Sequence, residues 1–117
     1  MTILLAEDDE LILRTVEHHL KKQGYHVLIT RNGKEAIEIL EIENVDLIIT
    51  DIMMPFATGI EILSAVKQMN KKIPVIMLSS LGQEDVVLEA FNLGATDFIV
   101  KPFSPAELLV RIRRFKN

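Results

Sequence analysis

Four acidic residues, two hydroxyls and one lysine stand at the ends of short apolar runs in this chain. Glu7-Asp8-Asp9 follows Thr2–Ala6, Asp51 follows Val45–Thr50, Ser79-Ser80 closes the run from Pro74, and Lys101-Pro102 follows Asp97–Val100. Carboxylates brought to one place repel each other unless something compensates them. Oxygen ligands of this kind suit a hard divalent cation, Mg²⁺ above all, which takes one or two carboxylates and keeps several waters. Acids at helix N-termini also complement the macrodipole, which accounts for Asp9 or Glu10 but not for a further acid at position 51. A hydroxyl and an ammonium beside such a metal could hold a phosphoryl group, the cations neutralising its oxygens and the hydroxyl donating a hydrogen bond. In that company a carboxylate can serve as a covalent acceptor.

The elements that must bring these residues together are legible from periodicity. Thr2–Ala6, His26–Thr30, Val45–Thr50, Pro74–Ser79 and Asp97–Val100 read as five strands. The unbroken triplets Ile3-Leu4-Leu5 and Leu47-Ile48-Ile49 fit strands covered on both faces. Between the strands run helical patterns. The first carries Leu11, Ile12, Val16 and Leu20 and stops at Gly24; the second carries Ala36, Ile37, Leu40 and Ile42. The third carries Ile60, Ile62, Leu63, Val66 and Met69, and the fourth Val86, Val87, Ala90, Phe91 and Leu93, closed by Gly94. The fifth starts at the N-cap Ser104, with Pro105 next and Glu107 at the third helical position, and carries Leu108, Leu109, Ile112 and Phe115. Alternation of strand and helix predicts an α/β fold: a doubly wound five-stranded parallel sheet, order 2-1-3-4-5, with five flanking helices. Ligands in such sheets bind beyond the carboxyl ends of the strands where the order reverses, here between the first and third strands. That is where Glu7, Asp8 and Asp51 leave the sheet.

At 117 residues the chain has the length of one domain, 1–117. It contains no cysteine, so disulfides and thiolate metal sites are excluded. A net charge of −4 argues against direct nucleic-acid binding by this segment. No apolar run reaches the ~20 residues of a membrane span and no signal peptide is visible, so a cytoplasmic location is expected. His18, His19 and His26 have no carboxylate or cysteine at ligand spacing.

The residues resemble those of the receiver domain of two-component response regulators over the whole chain. The resemblance is carried by Glu7-Asp8-Asp9, by Asp51 with Pro55 and Gly59, by Ser79, and by Lys101-Pro102-Phe103. Asp8 stands 43 residues before Asp51, Ser79 stands 28 after it, and Lys101 a further 22 on. The resemblance implies that Asp51 is the phosphoacceptor, that Asp8 coordinates Mg²⁺ directly, that Glu7 acts nearby through water, and that the Met53 carbonyl completes the protein ligands. It implies that Ser79 bonds a phosphoryl oxygen and that Lys101 pairs first with Asp51 and then with the phosphoryl group, its bond to Pro102 being cis. Phe98 stands at the family's aromatic switch position. The phosphodonor would be a sensor histidine kinase, and the surface that changes would be formed by the fourth helix, fifth strand and fifth helix.

The stretch from Gly94 to Arg114 resembles receivers of the winged-helix transcription-factor subfamily, which dimerise through that surface. Asp97, Glu107, Arg111 and Arg113 could supply intersubunit ion pairs, with Val87 and Thr96 departing from the pattern. Apolar Met53 and Leu81, where similar receivers carry polar residues, imply a long-lived phosphoryl group. Three other readings share parts of this pattern. A haloacid-dehalogenase-like phosphatase needs a second acid where Met53 stands, and a flavodoxin-like carrier needs hydrogen-bond donors, not acids, after the first strand. An unphosphorylated receiver-like interaction module needs none of the chemical residues. The expected function is therefore signalling by self-catalysed phosphorylation rather than turnover of a separate substrate.

Overall fold

A computed structural model of the chain describes residues 1–54, 56–80 and 83–115. Pro55 and Leu81 lie outside the described residues. Five strands, β1 (Thr2–Ala6), β2 (His26–Thr30), β3 (Leu47–Asp51), β4 (Val75–Ser79) and β5 (Asp97–Val100), alternate with helices α1 (Glu10–Lys22), α2 (Gly33–Ile42), α3 (Gly59–Gln68), α4 (Glu84–Asn92) and α5 (Pro105–Arg113). The strands form one parallel sheet in the order β2-β1-β3-β4-β5. The doubly wound sheet expected from the sequence is therefore present.

Successive residues of a strand face opposite sides, so each apolar triplet feeds two cores. Leu4, Ala6, Ile48, Val75 and Met77 pack with Ala36 and Leu40 of α2, Ile62, Leu63 and Val66 of α3, and Ala90 of α4. Ile3, Leu5, Leu47, Ile49, Ile76, Leu78 and Ile99 pack with Leu13, Val16 and Leu20 of α1 and with Leu108 and Ile112 of α5.

Side-chain caps start four of the five helices. Asp9 caps α1, Asn32 caps α2, Ser104 caps α5, and Thr58 caps α3 in a reciprocal box with Glu61. Among the described residues, α4 alone begins without a side-chain cap, at Gln83.

Two expectations are corrected. Leu11 and Ile42, assigned to apolar helix faces, are almost fully exposed. At 100° per residue Leu11 falls nearly opposite the Leu13, Val16 and Leu20 stripe, and Ile42 falls about 120° or more from Ala36 and Leu40. The third strand also starts at Leu47 rather than Val45. Asp46 instead anchors the start of β1: its carboxylate accepts the Thr2 N–H at 2.7 Å and its own N–H donates to the Thr2 carbonyl at 2.8 Å. No described helix is long and apolar enough to cross a membrane.

Candidate functional site

The carboxyl ends of β1, β3, β4 and β5 deliver Glu7, Asp51, Ser79 and Lys101 to one edge of the sheet. Glu7 continues β1, its N–H donating to the Thr30 carbonyl, and its side chain is fully buried. Asp51 is the last residue of β3 and only 7% exposed. Beyond it the chain folds back: the Ile52 N–H donates to the Leu78 carbonyl and the Gly59 N–H to the Ile52 carbonyl. Ser79 ends β4 and is buried. The Lys101–Pro102 peptide is cis, as the resemblance implied.

Lys101 binds the acids together. Its Nζ donates to Asp51 Oδ2 at 2.9 Å and to Glu7 Oε1 at 3.1 Å. Asp51 Oδ1 accepts the Met53 N–H at 3.3 Å, and Glu7 Oε1 also accepts the Asp9 N–H at 3.1 Å. Glu7 Oε2 lies 3.0 Å from the ammonium, yet the bond is directed at Oε1, and the buried Oε2 takes no hydrogen bond among the described residues. Burial, then the Asp51 charge, push the Glu7 carboxyl up to about 7, with Lys101 opposing both. Burial alone would lower the Lys101 ammonium, but its hydrogen bonds to Asp51 and Glu7 prevail and raise it.

Of the acids after β1, Asp9 is occupied in capping α1 through the Ile12 N–H at 3.1 Å. Glu10 is gripped by Arg31 at 2.8 and 2.9 Å and by Arg14 at 3.0 Å, which hold it down at about 2. The dipole reading of acids at a helix start therefore covers these two. Asp8 is left exposed, and one oxygen from each of Glu7, Asp8 and Asp51 lies within 4.8 Å of the others. Three converging carboxylates with one unsatisfied buried oxygen and a single lysine between them fit a hard divalent cation.

Phe98 packs at the edge of the core beneath α4, where its ring meets that of Phe91 edge to face, centroids 5.5 Å apart and planes at 83°. Asp97, a candidate for the dimer surface, is held within its own chain by two arginines. It is buried, accepts from Arg111 at 2.8 and 2.9 Å and from Arg114 at 3.4 Å, and Arg111 reaches Glu107 at 3.5 Å. Arg113 is exposed. Sequence reasoning did not find the part of Arg114 in this network, nor the grip of Arg31 on Glu10. Neither has a local spacing signal, since Arg31 and Glu10 lie 21 residues apart.

In the loop between β3 and α3, Phe56 adopts φ 70° with its side chain 85% exposed. A left-handed backbone costs a residue with a Cβ about 1–2 kcal/mol relative to glycine, partly offset by the greater freedom of an unfolded glycine. Phe56→Gly is expected to raise the thermal midpoint by about 4 °C, a gain of about 1 kcal/mol in a chain of this length. An unchanged or lower midpoint in thermal denaturation would show that the ring contributes contacts that outweigh the backbone strain.

Residues 3–113 match the family model of the response regulator receiver domain. The chain is 39% identical over 113 residues to response regulator RR06 of Streptococcus pneumoniae serotype 2, covering 97% of this chain and 52% of that protein. It is 35% identical over 111 residues to the alkaline phosphatase synthesis transcriptional regulatory protein PhoP of Bacillus subtilis, covering 95% and 46%. The chain thus spans about half the length of these curated relatives. Among solved structures, the chemotaxis response regulator CheY4 of Vibrio cholerae superposes with a TM-score of 0.89 at 34% identity over 97% of both chains. The Francisella response regulator 1452 receiver domain gives 0.89 at 32% identity over 97% of this chain and 94% of that one. The chain belongs to the response regulator receiver domain family of two-component signalling.

Proposed function

We propose that Asp51 accepts a phosphoryl group from the phosphohistidine of a sensor histidine kinase and that the modified domain signals through the α4/β5/α5 surface. The observation that carries this reading is the Asp51 carboxylate itself, nearly buried, held by the Lys101 ammonium and facing two further carboxylates. In the transfer an Asp51 oxygen attacks phosphorus and the P–N bond breaks. The electron pair stays on the imidazole nitrogen, and a proton carried on the other ring nitrogen of the phosphohistidine lets the donor leave as neutral imidazole. Asp8, Asp51 and the Met53 carbonyl, with Glu7 beside them, would hold Mg²⁺, which would neutralise the phosphoryl oxygens. Lys101 moves from Asp51 to the phosphoryl group, and the Ser79 hydroxyl donates to one of its oxygens.

The donor reaches Asp51 across an apolar groove of about 450 Å³ lined by Ile12, Thr15, Val16, Pro102, Phe103 and Pro105, next to Lys101. Phosphorylation adds roughly −1.5 to −2 charge at Asp51. Ser79, drawn toward it, vacates space that the Phe98 ring takes up, and the fourth helix shifts with it. Exchange of the Asp97, Glu107 and Arg111 ion pairs from within the protomer to a second copy, with the exposed Arg113 added to them, then supports a homodimer.

The test is incubation with acetyl phosphate, with and without Mg²⁺, followed by intact mass spectrometry. One phosphoryl group is expected on the wild type with Mg²⁺, and none without it or in Asp51→Asn. Incorporation that persists in Asp51→Asn would move the acceptor elsewhere. The same measurement followed over time addresses the exposed, apolar Met53. Met53→Asn, which can orient a water beside the acyl phosphate, is expected to speed hydrolysis several-fold. A rate unchanged or slower would overturn the long-lived phosphoryl group.

A further inference from the structure

Ser79 and Phe98 lie on the same face of the sheet, since the register pairs Met77 with Phe98 and Ser79 with Val100. Over them runs a groove of about 300 Å³ lined by Ser79, Val87, Leu88, Phe91, Phe98 and Val100. The helix that roofs it is the most weakly anchored of the five. Among the described residues α4 buries only Ala90 and has no side-chain cap, whereas α1 and α2 each bury three residues, α3 four and α5 two, all with caps. Phe91 is 39% exposed at the rim, and its edge-to-face contact is with Phe98.

A helix held by so little is sensitive to a single aromatic pair. We infer that Phe91 is a positioning residue that holds the Phe98 ring outward, against α4, and so opposes the switch that phosphorylation drives. The inference rests on the switch reading of Phe98 given above. On this inference, movement of the ring along the groove toward Ser79 breaks its contact with Phe91, so the contact favours the state seen here. An interaction present in one of two states shifts the equilibrium between them by its own free energy. An edge-to-face pair is worth about a two- to tenfold change on this scale.

The test uses the full chain with beryllofluoride and Mg²⁺ as a phosphoryl stand-in, and ¹⁹F resonances of fluorophenylalanine-labelled protein assigned by substitution. Phe91→Leu is expected to bind beryllofluoride about two- to tenfold more tightly than wild type, with the Phe98 resonance already displaced toward its bound position before the ligand is added. Phe91→Tyr, which keeps the ring, is expected to retain wild-type affinity. In a Phe98→Leu background, Phe91→Leu should change the affinity no further. A residue that merely supports the fold would lower stability in both states alike and leave the affinity unchanged, so equal affinities in wild type and Phe91→Leu overturn the inference. If beryllofluoride saturates the wild type without moving the Phe98 resonance, the switch reading itself fails, and the inference with it.

Discussion

Lys101→Met is expected to lower the thermal midpoint of the metal-free protein at pH 8 by roughly 10 °C, a loss of about 3 kcal/mol. The lysine is the only cation contacting Asp51 and Glu7 among the described residues, and removing it leaves two nearly buried carboxylates facing each other. The loss should shrink toward pH 5, and the sign follows from Glu7. Its folded-state pKa stands raised at about 7 against an ordinary 4.5, so the folded state holds a proton that the unfolded chain has released. The associated stability is full below about 4.5 and is lost as pH rises through about 7. At pH 5 one of the two charges is therefore already neutral, and less repulsion is exposed when the ammonium goes. Mg²⁺ should restore much of the loss at pH 8. The same substitution removes a charge that stabilises phosphoryl transfer, so uptake from acetyl phosphate should slow by about 10²–10³-fold. Melting curves at the two pH values, with and without Mg²⁺, test the first part. A midpoint loss that is equal at pH 5 and pH 8 would show that Glu7 is not titrating against Lys101.

Gly33→Ala is expected to cost about 3 kcal/mol, again roughly 10 °C, for a steric reason. Gly33 opens α2, and a Cβ there would lie 2.1 Å from the Ala57 carbonyl oxygen and 2.6 Å from its carbon. Both atoms are backbone, so no rotamer change relieves the overlap, and either α2 or the loop leading from Asp51 must move. Gly59 is confined in the same way, a Cβ there meeting the Asp51 carbonyl oxygen at 2.6 Å. Gly24 and Gly94 are the contrast. Nothing lies within 4 Å of a Cβ at either, and their φ values of +88° and +107° leave only the backbone penalty of about 1–2 kcal/mol. Thermal denaturation of Gly33→Ala beside Gly24→Ala decides the matter. Equal losses would mean that α2 does not seat on the loop as closely as the structure shows.

The contrast between these glycines shows where sequence reasoning reaches and where it stops. Strand ends were legible because the Ile3–Leu5 and Leu47–Ile49 triplets announce fully covered strands, and covered parallel strands leave few topologies. Once the order was in hand, Glu7, Asp51, Ser79 and Lys101 had to meet, and the structure brings them within reach of one ammonium or one sheet edge. Single positions on helix stripes were less secure, because Leu11 and Ile42 have the right type but the wrong angle. The inward pairing of Asp97 could not be read, since a charge near Arg111 looks the same in sequence whether it bonds its own chain or another. Phe91 and Phe98 were each legible as apolar, but their meeting depends on how α4 lies across β5. The left-handed Phe56 carried no signal at all, because a phenylalanine does not advertise a positive φ as glycine does.

The sheet also acts as a partition. Its two cores share no side chains: α1 and α5 belong to one, α2, α3 and α4 to the other. The groove proposed to admit the donor opens on the first side, and the roof that Phe91 secures lies on the second. On the proposed reading, substitutions on α1 that alter which donor is admitted lie on the opposite side of the sheet from the α4 roof. The two sides meet at the residues on the sheet's edge where the phosphoryl group would sit, and again at α5, whose Pro105 borders the groove while its Glu107 and Arg111 belong to the proposed signalling surface.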